Sequence, residues 1–155
     1  MKKKELYFRE MTTNDLKEVV NSYIQVFSAE PWNDQLTQEQ IIEYVNRMMR
    51  LNTFKGYIVR ETGTTKLLGA ALGFVRPWYK GEEYHLDTFY ISNDYQSKGI
   101  GTLFLAFIKE QLKTLTVSTI LLDTDRGYPA ESFYLANGFS SLDSSITLFS
   151  STDKN

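Results

Sequence analysis

The stretch that most constrains the fold runs from Leu86 to Leu112, where a strand-like segment leads through a glycine loop into an amphipathic helix. Residues 86–91 are rich in aromatic and β-branched side chains, as β-strands are, and the Ser, Asn and Asp that follow favour a turn. Gly99 and Gly101 then precede apolar residues at helical spacing, which predicts a helix that begins at the glycines. The apolar positions are Leu103, Phe104, Phe107, Ile108 and Leu112, and the opposite face carries Lys109, Glu110 and Lys113.

The start of this predicted helix is suited to an anion. The first backbone N–H groups of a helix have no partner within it, and the helix dipole places partial positive charge there. Gly99 and Gly101 present no side chain that would hold a phosphate away, and Lys98 adds a positive charge. A pyrophosphate-bearing cofactor is the ligand that such a site suits best. The alternative is that Gly-x-Gly forms only a tight turn at a loop-to-helix junction.

Composition narrows the classes of protein and of site. With 155 residues the chain fits one domain, which we expect over residues 1–150, followed by a polar tail over 151–155. A formal charge of −2 gives no electrostatic footprint for nucleic acid or an anionic membrane. Without cysteine there are no disulfides or thiolate metal sites, and a single histidine argues against a zinc centre, so no metal is expected. The sequence lacks a membrane-length apolar segment and a signal-peptide core, so the protein is expected in the cytoplasm.

The order of the predicted elements indicates a mixed α/β fold in a single domain, β-α-α-β-β-β-α-β-α-β. Thr12 and Thr37 each begin a capping box, with Asp15 and Gln40 three residues later, and each box precedes an apolar helical stripe. Gly138 is the predicted C-cap of the last helix. The predicted strands are residues 5–10, 56–60, 66–76, 82–91 and 118–124, with one or two last strands at Phe139 and 146–149, and the last helix covers 130–137.

Two motifs and this order of elements resemble the GCN5-related N-acetyltransferase (GNAT) superfamily over nearly the whole chain. Phe89-Tyr90-Ile91 followed by Gln96-x-x-Gly99-x-Gly101 is similar to its acetyl-CoA motif. Ala130-x-x-Phe133-Tyr134-x-x-x-Gly138-Phe139 is similar to its C-terminal motif. Many members carry asparagine where this chain has Gly127, so an asparagine contact to the cofactor is not carried over. The resemblance implies a GNAT-like fold, with a central mixed and mostly antiparallel sheet flanked by helices.

The resemblance implies an N-acetyltransferase that moves an acetyl group from acetyl-CoA to a primary amine. The amine attacks the thioester directly in a ternary complex, in agreement with the absence of cysteine. Backbone amides would hold the pyrophosphate, and the pantetheine arm would pair with the preceding strand like an added strand. The implied cofactor-binding residues are Phe89, Tyr90, Ile91, Gln96, Ser97, Lys98, Gly99, Ile100, Gly101 and Thr102.

Such a reaction needs two groups that handle protons, because the amine must lose a proton and the leaving thiolate can take one. Tyr134 matches the family tyrosine that donates to the departing sulfur, and its alternative role is to pack the short helix. His85 matches the place of a glutamate base in some members, and strand alternation puts Glu83 and Asp87 on the same face unless a bulge intervenes. In the alternative, the histidine is a structural residue and the two carboxylates are only solvated.

The acceptor pocket is expected where the loop after the first helix meets the turn after the third strand. Aromatic walls with carboxylates suit a small cationic amine as the substrate. In the alternative, the first tryptophan covers the core and the acidic side chains face water. The predicted lining is Glu30, Trp32 and Trp78, with Asp34, Tyr79 and Glu82 beside them.

Other functions fit parts of this pattern. A protein or peptide N-acetyltransferase differs in its acceptor, and a CoA-binding module has no turnover. A dinucleotide-dependent oxidoreductase fits Gly99-x-Gly101 and Asp123 about twenty residues later. Against it, Phe104 stands at the place of the third glycine. The family resemblance also carries the expectation of a homodimer.

Overall fold

The structure, a computed structural model, describes residues 5–153 and divides into two compact units. The first unit ends at Asp123 and the second begins at Thr124. The predicted polar tail, residues 151–155, extends two residues past the described part of the chain. The expected domain boundary at residue 150 stays a prediction.

The first unit is built on a five-stranded sheet whose strands lie side by side in chain order. Every neighbouring pair is antiparallel except the last, β4 and β5, which run parallel. The mixed, mostly antiparallel sheet predicted from the sequence is therefore confirmed. The strands are β1 (Leu6–Glu10), β2 (Phe54–Glu61), β3 (Leu67–Arg76), β4 (Glu82–Ile91) and β5 (Val117–Leu121).

The helices begin where the sequence predicts caps. Thr37 and Gln40 form the predicted capping box through reciprocal hydrogen bonds of 2.9 and 3.1 Å. Asp15 accepts from the Thr12 amide at 2.8 Å, and a turn of 3₁₀ helix leads from there into the first α-helix. Among residues 5–153, none of the helices has the length and apolar character that a membrane span requires. The helices are α1 (Leu16–Phe27), α2 (Gln38–Met49), α3 (Ile100–Thr114) and, in the second unit, α4 (Pro129–Ala136).

One face of the sheet is covered by α1 and α2. Val19 of α1 and Val45 of α2 are fully buried. They belong to one core cluster with Ile58, Leu72 and Tyr90 of the sheet. Burial of these apolar side chains holds the two helices against the sheet.

The opposite face is covered by α3 through aromatic contacts. Between ring centroids, Phe104 lies 6.0 Å from Phe8 and 5.4 Å from Phe89. Phe107 stacks on Phe8 at 5.3 Å and meets Tyr57 at 6.0 Å. Alternating residues of the same strands therefore serve two cores, and the predicted sheet flanked by helices is confirmed.

The last strands predicted from the sequence, at Phe139 and over residues 146–149, are wrong. No strand follows α4 within residues 5–153. Ile146, Leu148 and Phe149 are instead 79%, 81% and 96% exposed. The alternation of apolar residues there is typical of a strand, but a strand exists only where a neighbouring backbone shares its hydrogen bonds.

A buried ion-pair cluster ties the start of α1 to the first two strands. The Asp15 carboxylate, 1% exposed, accepts hydrogen bonds of 2.8 Å from Arg9 of β1 and from Arg60 of β2. Arg60 is itself buried and also donates to Glu18 at 2.8 Å. Burial opposes ionisation of Asp15, but the hydrogen bonds from Arg9, the Thr12 amide and Arg60 outweigh it and hold the pKa of Asp15 well below its usual range.

We expect Asp15→Asn to lower the free energy of unfolding near neutral pH by about 3 kcal/mol, because it leaves the buried Arg60 without one of its anionic partners. The contribution of ionised Asp15 is fully present above its unfolded pKa of about 4 and is lost as the pH falls toward the lower folded value. The difference between wild type and variant should therefore shrink below about pH 4. Urea unfolding followed by circular dichroism at several pH values measures it.

Glu10→Gln is the matched control, since it removes the more exposed pair of Glu10 with Lys55, whose charged atoms are 3.0 Å apart. Exposed pairs contribute little, so this variant should keep nearly the wild-type stability. An equal loss in both variants would contradict the role of the buried cluster.

Candidate active site

An additional residue in β4 decides which side chains face α2. Leu72 of β3 pairs with Thr88, and its neighbour Gly73 pairs with Leu86, so Asp87 is the extra residue of a β-bulge. Regular alternation would turn Asp87 and Thr88 to opposite faces of the sheet. With the bulge, both side chains reach the same hydroxyl group of α2.

That hydroxyl belongs to Tyr44, which the sequence patterns do not single out. It donates a hydrogen bond to Asp87 Oδ2 and lies 2.7 Å from Thr88 Oγ1. Burial, and after it the hydrogen bond to Asp87, raises the pKa of Tyr44 well above its usual value. The hydroxyl therefore keeps its proton at neutral pH. In the sequence Tyr44 lies on the apolar stripe of α2, which indicates only a core residue.

Two carboxylates raise the pKa of a second tyrosine, Tyr23, which lies beside Tyr44. The ring of Tyr23 lies 5.8 Å from that of Tyr44. Burial is the largest cause that raises the pKa of Tyr23, and the charges of Asp87 and Asp34 raise it further. Asp34, in the loop between α1 and α2, and Asp87 therefore bring negative charge to the same small region.

Glu83 and His85, the other two candidate bases on β4, have partners of their own. Glu83 accepts a hydrogen bond from Arg76 at 2.7 Å. His85 stacks on Phe74, with 5.1 Å between ring centroids and 6° between ring planes. Phe74 lies two residues after Leu72, whose side chain belongs to the core under α1 and α2. The structure thus brings the three candidate bases of β4, Glu83, His85 and Asp87, to one face of the sheet.

A surface cavity of about 580 Å³ runs along α2. Tyr44 forms part of the wall of this cavity, which is large enough for a small molecule, and its hydroxyl donates to Asp87, which is not one of the lining residues. Glu43 and Arg47 in the wall are exposed, and their charged atoms are 3.9 Å apart. The full lining is Gln40, Glu43, Tyr44, Arg47, Met48 and Leu51.

The residues predicted to line an acceptor pocket divide between two places. Trp32 is half-buried, and its ring centroid lies 5.0 Å from that of Phe27. This agrees with the alternative interpretation, in which Trp32 covers the core. Glu30 is exposed in the same loop. Trp78 is 51% exposed and lies 4.7 Å from Tyr79 in the turn between β3 and β4. Contact of these residues with an amine stays a prediction.

The loop before α3 depends on left-handed backbone. Ser97 has a φ of 61° and Gly99 a φ of 81°. Gly99 is the N-cap of α3, and a Cβ atom built on it would meet nothing within 4 Å. The Gln96 side chain closes the loop by donating to the Ile91 carbonyl at 2.9 Å. Glycine at this position therefore supplies both a conformation that other residues disfavour and open space before the helix.

The first turn of α3 fits a pyrophosphate group. No side chain caps it, and it contains no acidic residue. Its first backbone hydrogen bond joins the Leu103 amide to the Gly99 carbonyl at 3.3 Å, so the amides of residues 100–102 have no acceptor inside the helix. Lys98 is exposed directly before it. Amide donors, partial positive charge and a lysine are the groups that anionic phosphates require.

β4 extends beyond its pairing with β5. The parallel pairs end at His85 and Leu121, whereas β4 continues to Ile91. Phe89 in this continuation stacks on a ring of α3, and Tyr90 and Ile91 are buried. Because the side chains of Phe89, Tyr90 and Ile91 pack into the two cores, a ligand that lies beside this segment would contact its backbone.

The second unit carries the C-terminal motif on α4. Tyr134 lies 5.4 Å from Phe133 and 5.3 Å from Phe139 between ring centroids. Burial raises the pKa of Tyr134 to about 12. The phenol is therefore a weak acid that is protonated at neutral pH.

Two glycines frame α4 in this unit. Gly138, which follows the C-cap residue Asn137, has a φ of 90°, the left-handed conformation expected of a glycine at a helix C-terminus. Gly127, at the place of the family asparagine, has a φ of 85°. Its amide donates to Glu131 Oε1 at 2.7 Å. The residue that departs from the family pattern is thus held through its backbone by a side chain of α4.

Comparison with known proteins agrees with this geometry. The sequence model described as "Acetyltransferase (GNAT) family" matches residues 16–139, most of the chain. The chain belongs to this family. No protein of curated function matches its sequence.

Solved structures with the fold of this GNAT protein include several acetyltransferases. The aminoglycoside acetyltransferase meta-AAC0020 from an uncultured soil metagenomic sample, in complex with sisomicin, is 13% identical, with a TM-score of 0.75 over 97% of this chain and 98% of that one. A possible acetyltransferase from Clostridium difficile 630 is 14% identical, with a TM-score of 0.80 over 96% and 99%. A GNAT family acetyltransferase from Staphylococcus aureus subsp. aureus USA300_TCH1516 is 15% identical, with a TM-score of 0.70 over 96% and 98%. At these identities the likeness establishes the fold.

Membership of the GNAT family sets aside the dinucleotide-dependent oxidoreductase. The sheet agrees, because only the pair β4 and β5 is parallel among the described strands. A dinucleotide-binding sheet is mostly parallel. Gly99-x-Gly101 therefore belongs to an acetyltransferase fold.

We expect Gly99→Ala to lower the free energy of unfolding by about 1 kcal/mol, because alanine disfavours a φ of 81°. Gly99→Asn should cost less, since asparagine tolerates the left-handed region better. Urea unfolding of the two variants measures the difference. An alanine variant as stable as the wild type would contradict the left-handed start of α3.

Proposed function

We propose that this GNAT protein transfers an acetyl group from acetyl-CoA to a primary amine of a small cationic molecule. The observation that carries the proposal is the start of α3, where Gly99 leaves the helix amides open, with no capping or acidic side chain in the way. CoA presents a pyrophosphate, which is the kind of anion that such a helix start binds.

The proposed binding of acetyl-CoA uses backbone groups at two places. The amides from Gln96 to Thr102, together with the charge of Lys98, would hold the pyrophosphate. The continuation of β4 past His85, from Phe89 to Ile91, would pair with the amides of the pantetheine arm as an added strand. When bound, acetyl-CoA supplies an acyl thioester that an amine can attack.

The charge around Tyr44 supports a cationic acceptor. Beyond the effect of burial, Asp87 and Asp34 both raise the pKa of Tyr23, as nearby negative charges do. Glu43 in the wall of the α2 cavity is paired with Arg47. The negative charge near Tyr44 therefore comes from Asp87 and Asp34. An ammonium group is favoured beside these two carboxylates, and an acidic substrate is disfavoured. The soil metagenome neighbour, an aminoglycoside acetyltransferase in complex with sisomicin, supports an acceptor of this class.

The proposed reaction forms a bond from the amine nitrogen to the acetyl carbon and breaks the carbon–sulfur bond. The nitrogen loses one proton before the attack and a second one after it, and the second replaces the proton that Tyr134 gives to the sulfur. The amine first gives up a proton, for which His85, Glu83 and Asp87 are the proposed acceptors. Glu83 is paired with the positive charge of Arg76, whereas Asp87, among residues 5–153, accepts only from the neutral hydroxyl of Tyr44. His85 and Asp87 are therefore the better candidates. Tyr134 is proposed to donate a proton to the departing sulfur, because a pKa raised by burial to about 12 keeps its hydroxyl protonated at neutral pH.

A thiol-release assay with acetyl-CoA tests this function on three acceptors, namely sisomicin, spermidine and a peptide with a free N-terminal amine. We expect turnover with the small cationic amines and a higher melting temperature with CoA than without it. Turnover on the peptide alone would favour a protein acceptor. CoA binding without turnover on any amine would favour a silent CoA-binding module, and a failure to bind CoA would overturn the proposal.

We expect Tyr134→Phe to lower kcat roughly a hundredfold, since a positioned general acid contributes about 10² to 10⁴ in rate. The affinity for CoA should stay unchanged, because the ring that packs with Phe133 and Phe139 is retained. Steady-state kinetics with the fastest amine and calorimetry with CoA measure the two quantities. Tyr7→Phe, the same change on β1, is the control. A wild-type kcat in Tyr134→Phe would contradict the role of Tyr134 as proton donor and would indicate that it only packs against its neighbours.

A further inference from the structure

We infer that Tyr44 is a positioning residue for the acceptor: its hydroxyl holds one oxygen of Asp87, so that the other oxygen binds the ammonium group of the incoming amine. The inference rests on the proposed function and defines its acceptor site more closely. Tyr44 lies on α2 and Asp87 is the bulge residue of β4, and no sequence motif links these two residues.

The two oxygens of Asp87 have different surroundings. Oδ2 accepts the hydrogen bond from Tyr44. Oδ1 has no hydrogen bond or ion pair within the part of the chain that the structure describes, and the residue is exposed. A carboxylate with one oxygen held and the other open can take a charged hydrogen bond from an ammonium group without a change of orientation.

The hydrogen bonds around Tyr44 run in one direction. A tyrosine hydroxyl has a single proton, which Tyr44 donates to Asp87. The contact of 2.7 Å with Thr88 therefore uses the threonine hydroxyl as donor and the Tyr44 oxygen as acceptor. In a chain of hydrogen bonds that ends on a carboxylate, each bond strengthens the next, and the carboxylate is held in one orientation.

The place of Tyr44 also indicates the size and charge of the acceptor. Tyr44 contributes both to the wall of the α2 cavity and, through its hydroxyl, to the hydrogen bond with Asp87. Asp34 near Tyr23 adds negative charge, whereas Glu43 in that wall is paired with Arg47. A small amine with two cationic groups fits this arrangement, with one ammonium at Asp87 and the other near Asp34.

Three variants separate Tyr44 from Asp87: Tyr44→Phe, Asp87→Asn and the double variant. Tyr44→Phe keeps the ring that packs in the core and removes the hydroxyl. Tyr7→Phe is the matched control for the loss of a hydroxyl elsewhere. Spermidine and sisomicin are the probes, and calorimetry measures their dissociation constants with and without CoA, so that no turnover is needed.

We expect Tyr44→Phe to weaken binding of the probe about tenfold and Asp87→Asn about a hundredfold, because a charged hydrogen bond is lost in the first and the charge itself in the second. KM for the amine should rise by the same factors, while the affinity for CoA stays at the wild-type value. The double variant should bind no more weakly than Asp87→Asn alone, because Tyr44 acts through Asp87. Thr88→Val, which removes the donor to Tyr44, should weaken binding by a smaller factor.

Three results would overturn the inference: equal probe binding in Tyr44→Phe and Tyr7→Phe, multiplied effects in the double variant, or a wild-type protein that binds neither probe. Melting curves check that each variant folds, and if Tyr44→Phe does not, unchanged probe binding in Thr88→Val would overturn the inference instead. If a probe binds through Tyr44 and Asp87 but no thiol is released, the transferase proposal fails and the inference stands.

Discussion

The extra residue in β4 is the constraint on which the candidate site depends. The pairing on either side of it turns Asp87 and Thr88 together toward α2, so two polar side chains meet one tyrosine hydroxyl. Next to the bulge, β3 and β4 also lie close together, since a Cβ atom on Gly73 would be 2.4 Å from the His85 carbonyl oxygen. Only glycine fits there, because a paired backbone cannot move aside as a flexible side chain could. The direction of the Asp87 carboxylate therefore follows from strand register.

Interactions between residues close in sequence account for what could be predicted. The capping box of Thr37 and Gln40 is complete within one helical turn, and it forms as predicted. The helix start at Gly99 needs only a left-handed residue and the apolar period behind it. The limits of β4, residues 82–91, likewise follow from its own composition and flanking turns. The start of α3, on which the proposed CoA contact depends, was therefore visible in the sequence.

Contacts between distant residues account for what could not be predicted. Tyr44 and Asp87 are 43 residues apart in the chain, and no local pattern separates Tyr44 from the other residues on the buried stripe of α2. The same is true of the buried Arg60, whose partner Asp15 lies 45 residues earlier. Conversely, residues 146–149 have the pattern of a strand but pair with no strand within residues 5–153. A local pattern indicates what a segment can form, and its neighbours in space decide whether it does.

One side chain joins three strands at the end of the sheet away from the glycine loop. The ring of Tyr84, from β4, occupies the space that a side chain on Gly73 of β3 would need. Its hydroxyl then donates to the Lys55 carbonyl of β2 at 2.6 Å. Tyr84 is fully buried, its ring lies against β3 and its hydroxyl bonds to β2. Strands β2, β3 and β4 therefore separate together around this side chain. Backbone amides beside it should therefore exchange with deuterium only when the whole sheet opens, which makes them reporters of global stability rather than of local motion.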